Sequence, residues 1–232
     1  MTTVALTNEQ YQIIINTLYR GVRVTPEGPV FGCPCRTIGE SGIEPNIPVA
    51  TALQIEANTG IRIGDVLSLK RGDIIKDGDK YRFDIREQKT KKKRTYVVPV
   101  PVWRLIDDYC TRCSIPKGGR LFPFGVRNVQ KLLGKITTLY NYEKISTHSF
   151  RKYFGKKAYI ASNFDPALVC RLFQHSSPAV TMTYLGLTDR QAESVLTNSV
   201  GIVSQETTEP EDQEKPKGND NQEKPKEDDN DE

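Results

Sequence analysis

The chain has 232 residues, 37% hydrophobic and 27% charged, which suits one domain or a small pair with a sizeable core. No run approaches the ~18 consecutive apolar residues of a membrane span, and the opening MTTVALTNEQYQIIINTLY lacks the basic and apolar regions of a signal peptide, so a soluble cytoplasmic protein without membrane contact is expected. The net charge of +4 conceals a division, because residues 205–232 carry twelve Asp/Glu and four Lys and leave 29 basic against 17 acidic residues in 1–204, a body that attracts polyanions.

Thr7 and Gln10 have the spacing of a capping box, and Ile13, Ile14, Thr17 and Leu18 share one face before Gly21, so 8–20 is predicted to be an amphipathic helix. Four Pro and five Gly make 21–47 a loop. Helical periodicity occupies 48–58, stops at Gly60 and resumes from Ile63 to Leu69. Strand-like runs follow at 73–76, 80–86 and 94–99, the first two joined by Asp77-Gly78 and the second pair by the basic stretch Lys89 to Lys93. From 102 onward the pattern is helical, at 102–113, 126–139, 147–161, 165–173, 177–184 and 188–199, with Thr147, Asp165 and Thr188 as N-caps. The fold class is α+β, mainly helical, with a small three-stranded antiparallel sheet near its start. Its expected parts are an N-terminal helix and Pro/Gly-rich loop (1–47), a main domain (48–200) and a disordered acidic tail (201–232) in which QEKPK occurs twice.

Four separated signals fall in order along this frame: Arg62 in NTGIRIGDVLSL, Lys89 in the hairpin EQKTKKKR, His148 and Arg151 in THSFRK, and His175 with Tyr184 in FQHSSPAVTMTYLG. The set resembles the catalytic domain of the tyrosine recombinase (phage integrase) family. That family's pattern is T-G-x-R-x-x-E/D-x-x-x-L, a hairpin Lys, His-x-x-Arg, and a His or Trp nine residues before the nucleophilic Tyr. The resemblance covers about residues 48–190, and it implies a site-specific recombinase, of integrase or invertase type, that cleaves and rejoins DNA strands through a 3′-phosphotyrosyl intermediate.

The chemistry explains the residue types. Attack on a phosphodiester builds charge on two non-bridging oxygens, which planar guanidinium forks match in geometry and sign; Arg62 and Arg151 suit that clamp. By the resemblance Tyr184 is the nucleophile, Lys89 the general acid for the leaving 5′-oxygen, His148 an aid to proton transfer at the tyrosine, and His175 a donor to a non-bridging oxygen. Both histidines of the chain fall on family positions. Asp65, three residues after Arg62, is expected to orient its neighbours. Lys91, Lys92, Lys93 and Arg94 on the hairpin, and Lys152, Lys156 and Lys157 on helix 147–161, are the expected phosphate contacts.

No cofactor or metal is expected. Cys33-Pro-Cys35 and Cys110-Thr-Arg-Cys113 form two close thiol pairs whose spacing is not that of a standard zinc finger, and reduced thiols are the preferred reading. The expected partner is double-stranded DNA, with a tetramer on paired sites and an accessory DNA-binding protein to supply the clamp half that most family members carry before the catalytic domain. Two rivals share the fold: a type IB topoisomerase, and a DNA-binding regulator without catalysis.

Overall fold

In the computed structural model, which describes residues 3–32, 42–89, 91–173, 175 and 177–186, the chain enters its first helix through the predicted capping box. Gln10 N donates to Thr7 Oγ1 at 3.1 Å and Thr7 N to Gln10 Oε1 at 3.0 Å, opening α1 (Asn8–Arg20). The chain divides into two units, Met1–Ala192 and Glu193–Glu232, and every described residue belongs to the first. The predicted helix 188–199, the acidic tail and the Cys33–Cys35 pair lie outside the described residues.

The stretch 21–47, expected as a loop, instead contains a small antiparallel sheet. Strands β1 (Val22–Thr25), β2 (Gly28–Phe31) and β3 (Gly42–Ile43) are ordered β2-β1-β3. Strands of two to four residues, with Pro26 in the turn between β1 and β2 and Pro29 inside β2, carry little local signal, and it is the pairing of Val22 with Ile43, distant in sequence, that secures them. Pro29 sits on β2 at the sheet edge, where a missing N–H costs least.

The next helix, α2 (Ile47–Thr59), is the axis of the core. Val49, Ala50, Ala52, Leu53, Ile55 and Ala57 are all buried, so it buries apolar residues on several faces, as suits a central helix. It packs against α1, the short α3 (Ile63–Ser68), the last strand of the second sheet and two later helices. That second sheet matches the expectation. Strands β4 (Ile74–Asp77), β5 (Lys80–Arg86) and β6 (Lys93–Val98) run antiparallel in the order β4-β5-β6. Gly78, with φ +59°, turns the first hairpin.

Helices α4 (Val100–Arg112), α5 (Val126–Leu139), α6 (Thr147–Ala161), α7 (Pro166–Phe173) and α8 (Pro178–Leu185) complete the described unit. α4 starts at Val100 rather than at 102, because Pro101 is tolerated in a first turn where no N–H is needed. Ser146, not Thr147, is the N-cap of α6, its N–H donating to Ser149 Oγ at 3.1 Å. Asp165 caps α7 as expected, its Oδ1 accepting from Ala167 N and Leu168 N. Tyr81 stacks on Trp103 at 4.3 Å and fastens the second sheet to α4, while Tyr11 stacks on Tyr153 at 4.8 Å and fastens α1 to α6. No helix among the described residues is long and apolar enough to cross a membrane.

One glycine of α6 sets how closely the last two helices approach. A Cβ on Gly155 would lie 2.8 Å from Phe173 Cε2 and 3.2 Å from Leu185 Cδ2. Alanine favours a helix interior by about 1 kcal/mol over glycine, but overpacking a close-fitted site costs about 1–3 kcal/mol. Gly155→Ala is therefore expected to lower stability by about 1 kcal/mol, read as a fall in the urea midpoint at unchanged slope; a rise in the midpoint would mean that Phe173 and Leu185 retreat without penalty.

Candidate active site

The turn between α2 and α3 is built around Gly60. Its φ of +69° is left-handed, and a Cβ there would meet Phe154 Cδ1 at 2.5 Å and Phe173 Cε1 at 2.9 Å, so both backbone and space require glycine. The Gly60 carbonyl accepts from Arg151 Nη1, which ties the turn carrying Arg62 to the helix carrying Arg151. Below the turn, Glu56 is 1% exposed and its Oε1 accepts from Ile63 N at 3.0 Å, capping the first N–H of α3. Burial pushes the Glu56 carboxyl well above its ordinary range, against the opposing pull of the Ile63 N–H and the Arg151 charge.

Arg62 is the N-cap residue of α3, and its guanidinium, 30% exposed, donates from Nη1 to Glu87 Oε1 at 2.9 Å. Asp65 lies buried one turn on, and its Oδ1 accepts from Gln88 N at 2.7 Å. Burial raises the Asp65 carboxyl, opposed by that hydrogen bond and reinforced by the neighbouring Glu87 charge. Arg151 is 1% exposed. Its guanidinium carbon stands 4.6 Å from the Phe173 ring centroid and 6.0 Å from that of Tyr184, cation–π contacts that gain strength where water is excluded.

Four rings close over this cation. His175 stacks on Phe173 at 5.0 Å, and Tyr184 meets Phe173, His148 and His175 edge-on at 5.2, 5.3 and 5.4 Å. His175 Nδ1 lies 2.9 Å from Oγ1 of the buried Thr181. Burial together with the charges of Arg151, Arg62 and His148 brings His175 down to about 4. His148 is lowered by partial burial, then by Arg151, Lys152, Arg62 and Lys89. Both imidazoles are thus neutral at pH 7. Burial raises the Tyr184 phenol, with Arg151 the main opposing influence. Among the described residues, Tyr184 Oη and Arg151 Nε are buried without a hydrogen-bond partner. Two cationic forks, two neutral imidazoles and a phenol without a partner make a pocket that fits an oxyanion next to a tyrosine.

The structure brings Arg62, His148, Arg151, His175 and Tyr184 together and places Lys89 at the exposed turn of the β5–β6 hairpin, near enough to lower His148. Lys91, Lys92 and Lys93 are exposed on the same hairpin. Arg94 instead faces Glu87 Oε2 at 3.7 Å. Lys152 is half-buried: its Nζ donates to Thr3 O at 2.7 Å and stands 5.6 Å from the Tyr184 ring centroid, so it braces the tyrosine rather than lining an open face. Lys156 and Lys157 are exposed, and Lys157 lies over Tyr153 at 5.3 Å. Cys110 and Cys113 are free thiols. The sequence reading missed Glu56, Glu87, Phe173 and Thr181. Glu87 carried a readable signal, one acid among the six cations of 86–94; Phe173 and Thr181 look like ordinary core residues until the rings are packed.

This helical domain, with two small sheets and a tyrosine set among arginines and histidines, has the fold of tyrosine recombinase catalytic domains. Residues 43–191 match the Phage integrase family. The probable integrase/recombinase YoeC of Bacillus subtilis (strain 168) is 30% identical over 137 residues, covering 56% of this chain and 72% of that one. The XerH site-specific recombinase bound to difH substrate superposes with a TM-score of 0.56 at 18% identity over 84% of this chain, and the catalytic domain of bacteriophage HP1 integrase with 0.50 at 15% identity over 85%. The matched portion is 53% of the XerH chain and 95% of the HP1 domain. The chain belongs to the phage integrase family.

The depressed His175 gives a direct check. Below about 6.5, the ordinary value, an unfolded chain protonates this ring, whereas the folded site resists until about 4, so its contribution to stability is present above pH 6.5 and is lost as pH falls through that window. Glu56 and Asp65, raised in the fold, act in the opposite sense, so the ring must be watched itself. Proton NMR of the two histidines should show His175 neutral at pH 5.5; a midpoint near 6.5 would mean that the ring is neither buried nor flanked by cations as described.

Proposed function

We propose that this protein is a DNA strand transferase, a site-specific recombinase of integrase or invertase type that cuts and rejoins double-stranded DNA through a 3′-phosphotyrosyl intermediate. The observation that carries the reading is the convergence of Arg62, His148, Arg151 and His175 on the Tyr184 ring. The partly exposed fork of Arg62 and the Nε of Arg151 take the two non-bridging oxygens of the scissile phosphate. His175, if its Nδ1 accepts from Thr181, has its Nε2–H left to donate to one of them.

In the forward step the Tyr184 oxygen forms a bond to phosphorus as the bond from phosphorus to the 5′-oxygen breaks. Neutral His148 takes the phenol proton, and the Lys89 ammonium gives one to the departing 5′-oxygen. An incoming 5′-hydroxyl reverses both transfers, and the energy of the phosphodiester is kept in the phosphotyrosyl bond. One such site exchanges one strand, which favours a tetramer on paired sites, with an accessory DNA-binding protein completing the grip. Lys91, Lys92, Lys93, Lys156 and Lys157 are the proposed backbone contacts. The three-part division of the chain, including the acidic tail, belongs to the same proposal.

A nicked suicide duplex bearing the DNA that flanks the gene tests the reading. The wild type should give a covalent protein–DNA band, and Tyr184→Phe should abolish it with DNA binding nearly unchanged. Arg62→Lys and Arg151→Lys should each slow adduct formation by ~10²-fold or more, since lysine offers no planar fork. An adduct from Tyr184→Phe would move the nucleophile elsewhere; relaxed circles without exchanged strands would make the protein a topoisomerase.

A further inference from the structure

We propose that Glu87 is a positioning residue that locks the Arg62 fork and the Lys89 hairpin into one register, so that the phosphate clamp and the proton donor are set together. The inference rests on the strand-transfer reading of the site and adds to it a residue with no role in that reading.

The two residues before Lys89 are both fastened to the start of α3. The Glu87 carboxylate is 2% exposed and accepts from Arg62 Nη1 at 2.9 Å and Tyr96 Oη at 2.8 Å, with Arg94 Nε 3.7 Å away. Gln88 N donates to Asp65 Oδ1 at 2.7 Å. The Glu87 backbone also closes the turn itself: its N–H donates to Lys92 O at 3.0 Å, and its carbonyl accepts from Lys91 N at 2.9 Å. Lys89 is held one residue beyond a double anchor while its own side chain stays exposed.

For stability alone this arrangement is a poor bargain, since a buried ion pair seldom does better than apolar residues of equal volume. What the carboxylate supplies is direction. It takes one arm of the Arg62 fork, fixing the plane in which the rest of the guanidinium faces the pocket, and it does so from the strand end that launches the hairpin. A shift of the hairpin and a rotation of the fork are therefore one motion. Asp65 provides the second anchor, so the hairpin cannot pivot about Glu87.

Adduct formation should be measured for the wild type, Glu87→Ala and Glu87→Gln on two nicked duplexes, one with the ordinary phosphodiester and one with sulfur as the 5′-bridging atom, whose thiolate leaves without a proton. Glu87→Ala should be slowed by ~10²-fold on the ordinary duplex, the scale of a misplacement near 1 Å. Its sulfur-to-oxygen rate ratio should exceed the wild-type ratio by about tenfold, because the proton donor is misplaced along with the fork. Glu87→Gln keeps the acceptor oxygen and the fold but not the charge, and should move both readouts the same way by a smaller factor. A slowed rate at the wild-type ratio would confine Glu87 to the arginine, and an unchanged rate would remove it from the machinery; either overturns the proposal.

A readout free of the chemistry separates the two levels. Amide exchange at Gln88 and Lys91 should quicken about tenfold in Glu87→Gln, the signature of a local opening. Quickened exchange in a protein whose wild type forms no adduct would sink the strand-transfer reading and leave the lock intact. Unchanged exchange would overturn the lock whatever the wild type does.

Discussion

The buried charge of Arg151 is the constraint on which the rest of the site depends. A guanidinium at 1% exposure carries a large desolvation cost unless its donors and its charge are answered from all sides. The Gly60 carbonyl answers one nitrogen, the Phe173 face answers the cation, and the Glu56 carboxyl and Tyr184 ring lie close enough to act electrostatically. The answers come from three elements besides α6 itself: Glu56 and Gly60 from α2 and its C-cap, Phe173 from α7 and Tyr184 from α8. The fold therefore has to bring α2, α6, α7 and α8 to one point, and α2, buried along most of its length, serves as the post against which the others are set.

That constraint also explains which parts of the molecule were legible in the sequence. The T-G-x-R turn was visible because glycine, arginine and the helix restart are local. So were the Asp77-Gly78 hairpin, the Thr7–Gln10 box and the Asp165 cap, each a matter of a few consecutive residues. The fold class and family followed from the order of motifs. The β2-β1-β3 sheet was not legible, because its strands are too short to show alternation and β3 pairs with β1 from far along the chain. Glu56 fell within the helical periodicity of 48–58 and drew no notice, since nothing in a single sequence marks a carboxylate that turns inward to cap the next helix. Lys152 was misjudged for a related reason: its neighbours Lys156 and Lys157 are exposed, but one turn earlier the same face of α6 passes under Thr3 and beside Tyr184.

The charges of the site divide by burial in a way that suits a phosphate. Arg151 is held rigidly and almost out of solvent, Arg62 is partly open, and Lys89 is fully at the surface. An anion arriving from solvent meets them in the reverse order, the screened and hydrated lysine first and the desolvated arginine last, and its interactions strengthen as water is displaced. The two histidines remain neutral because burial, and after it the neighbouring arginine charges, disfavour protonation, which leaves them as donors and acceptors rather than as further cations. In the proposed reaction neutrality matters most at His148, since a protonated ring beside Tyr184 has no lone pair for a phenol proton.

The phenol itself is poorly prepared for attack while the pocket holds only protein groups, because burial favours its protonated form more than Arg151 opposes it. A phosphate bound to both arginines adds negative charge and raises the phenol further in the ground state. In the proposed reaction, activation must then come with the motion of the proton to His148 as the oxygen–phosphorus bond forms, when the phenol's charge passes into the phosphoryl group that the arginines already hold. A tyrosine ionised in advance would sit paired with Arg151 and occupy the fork that the proposal gives to the phosphate. Holding the phenol neutral and without a partner keeps both Arg151 and the Tyr184 oxygen available to the same incoming group, and that is why burial of the tyrosine, which looks like a handicap to a nucleophile, is consistent with its proposed role.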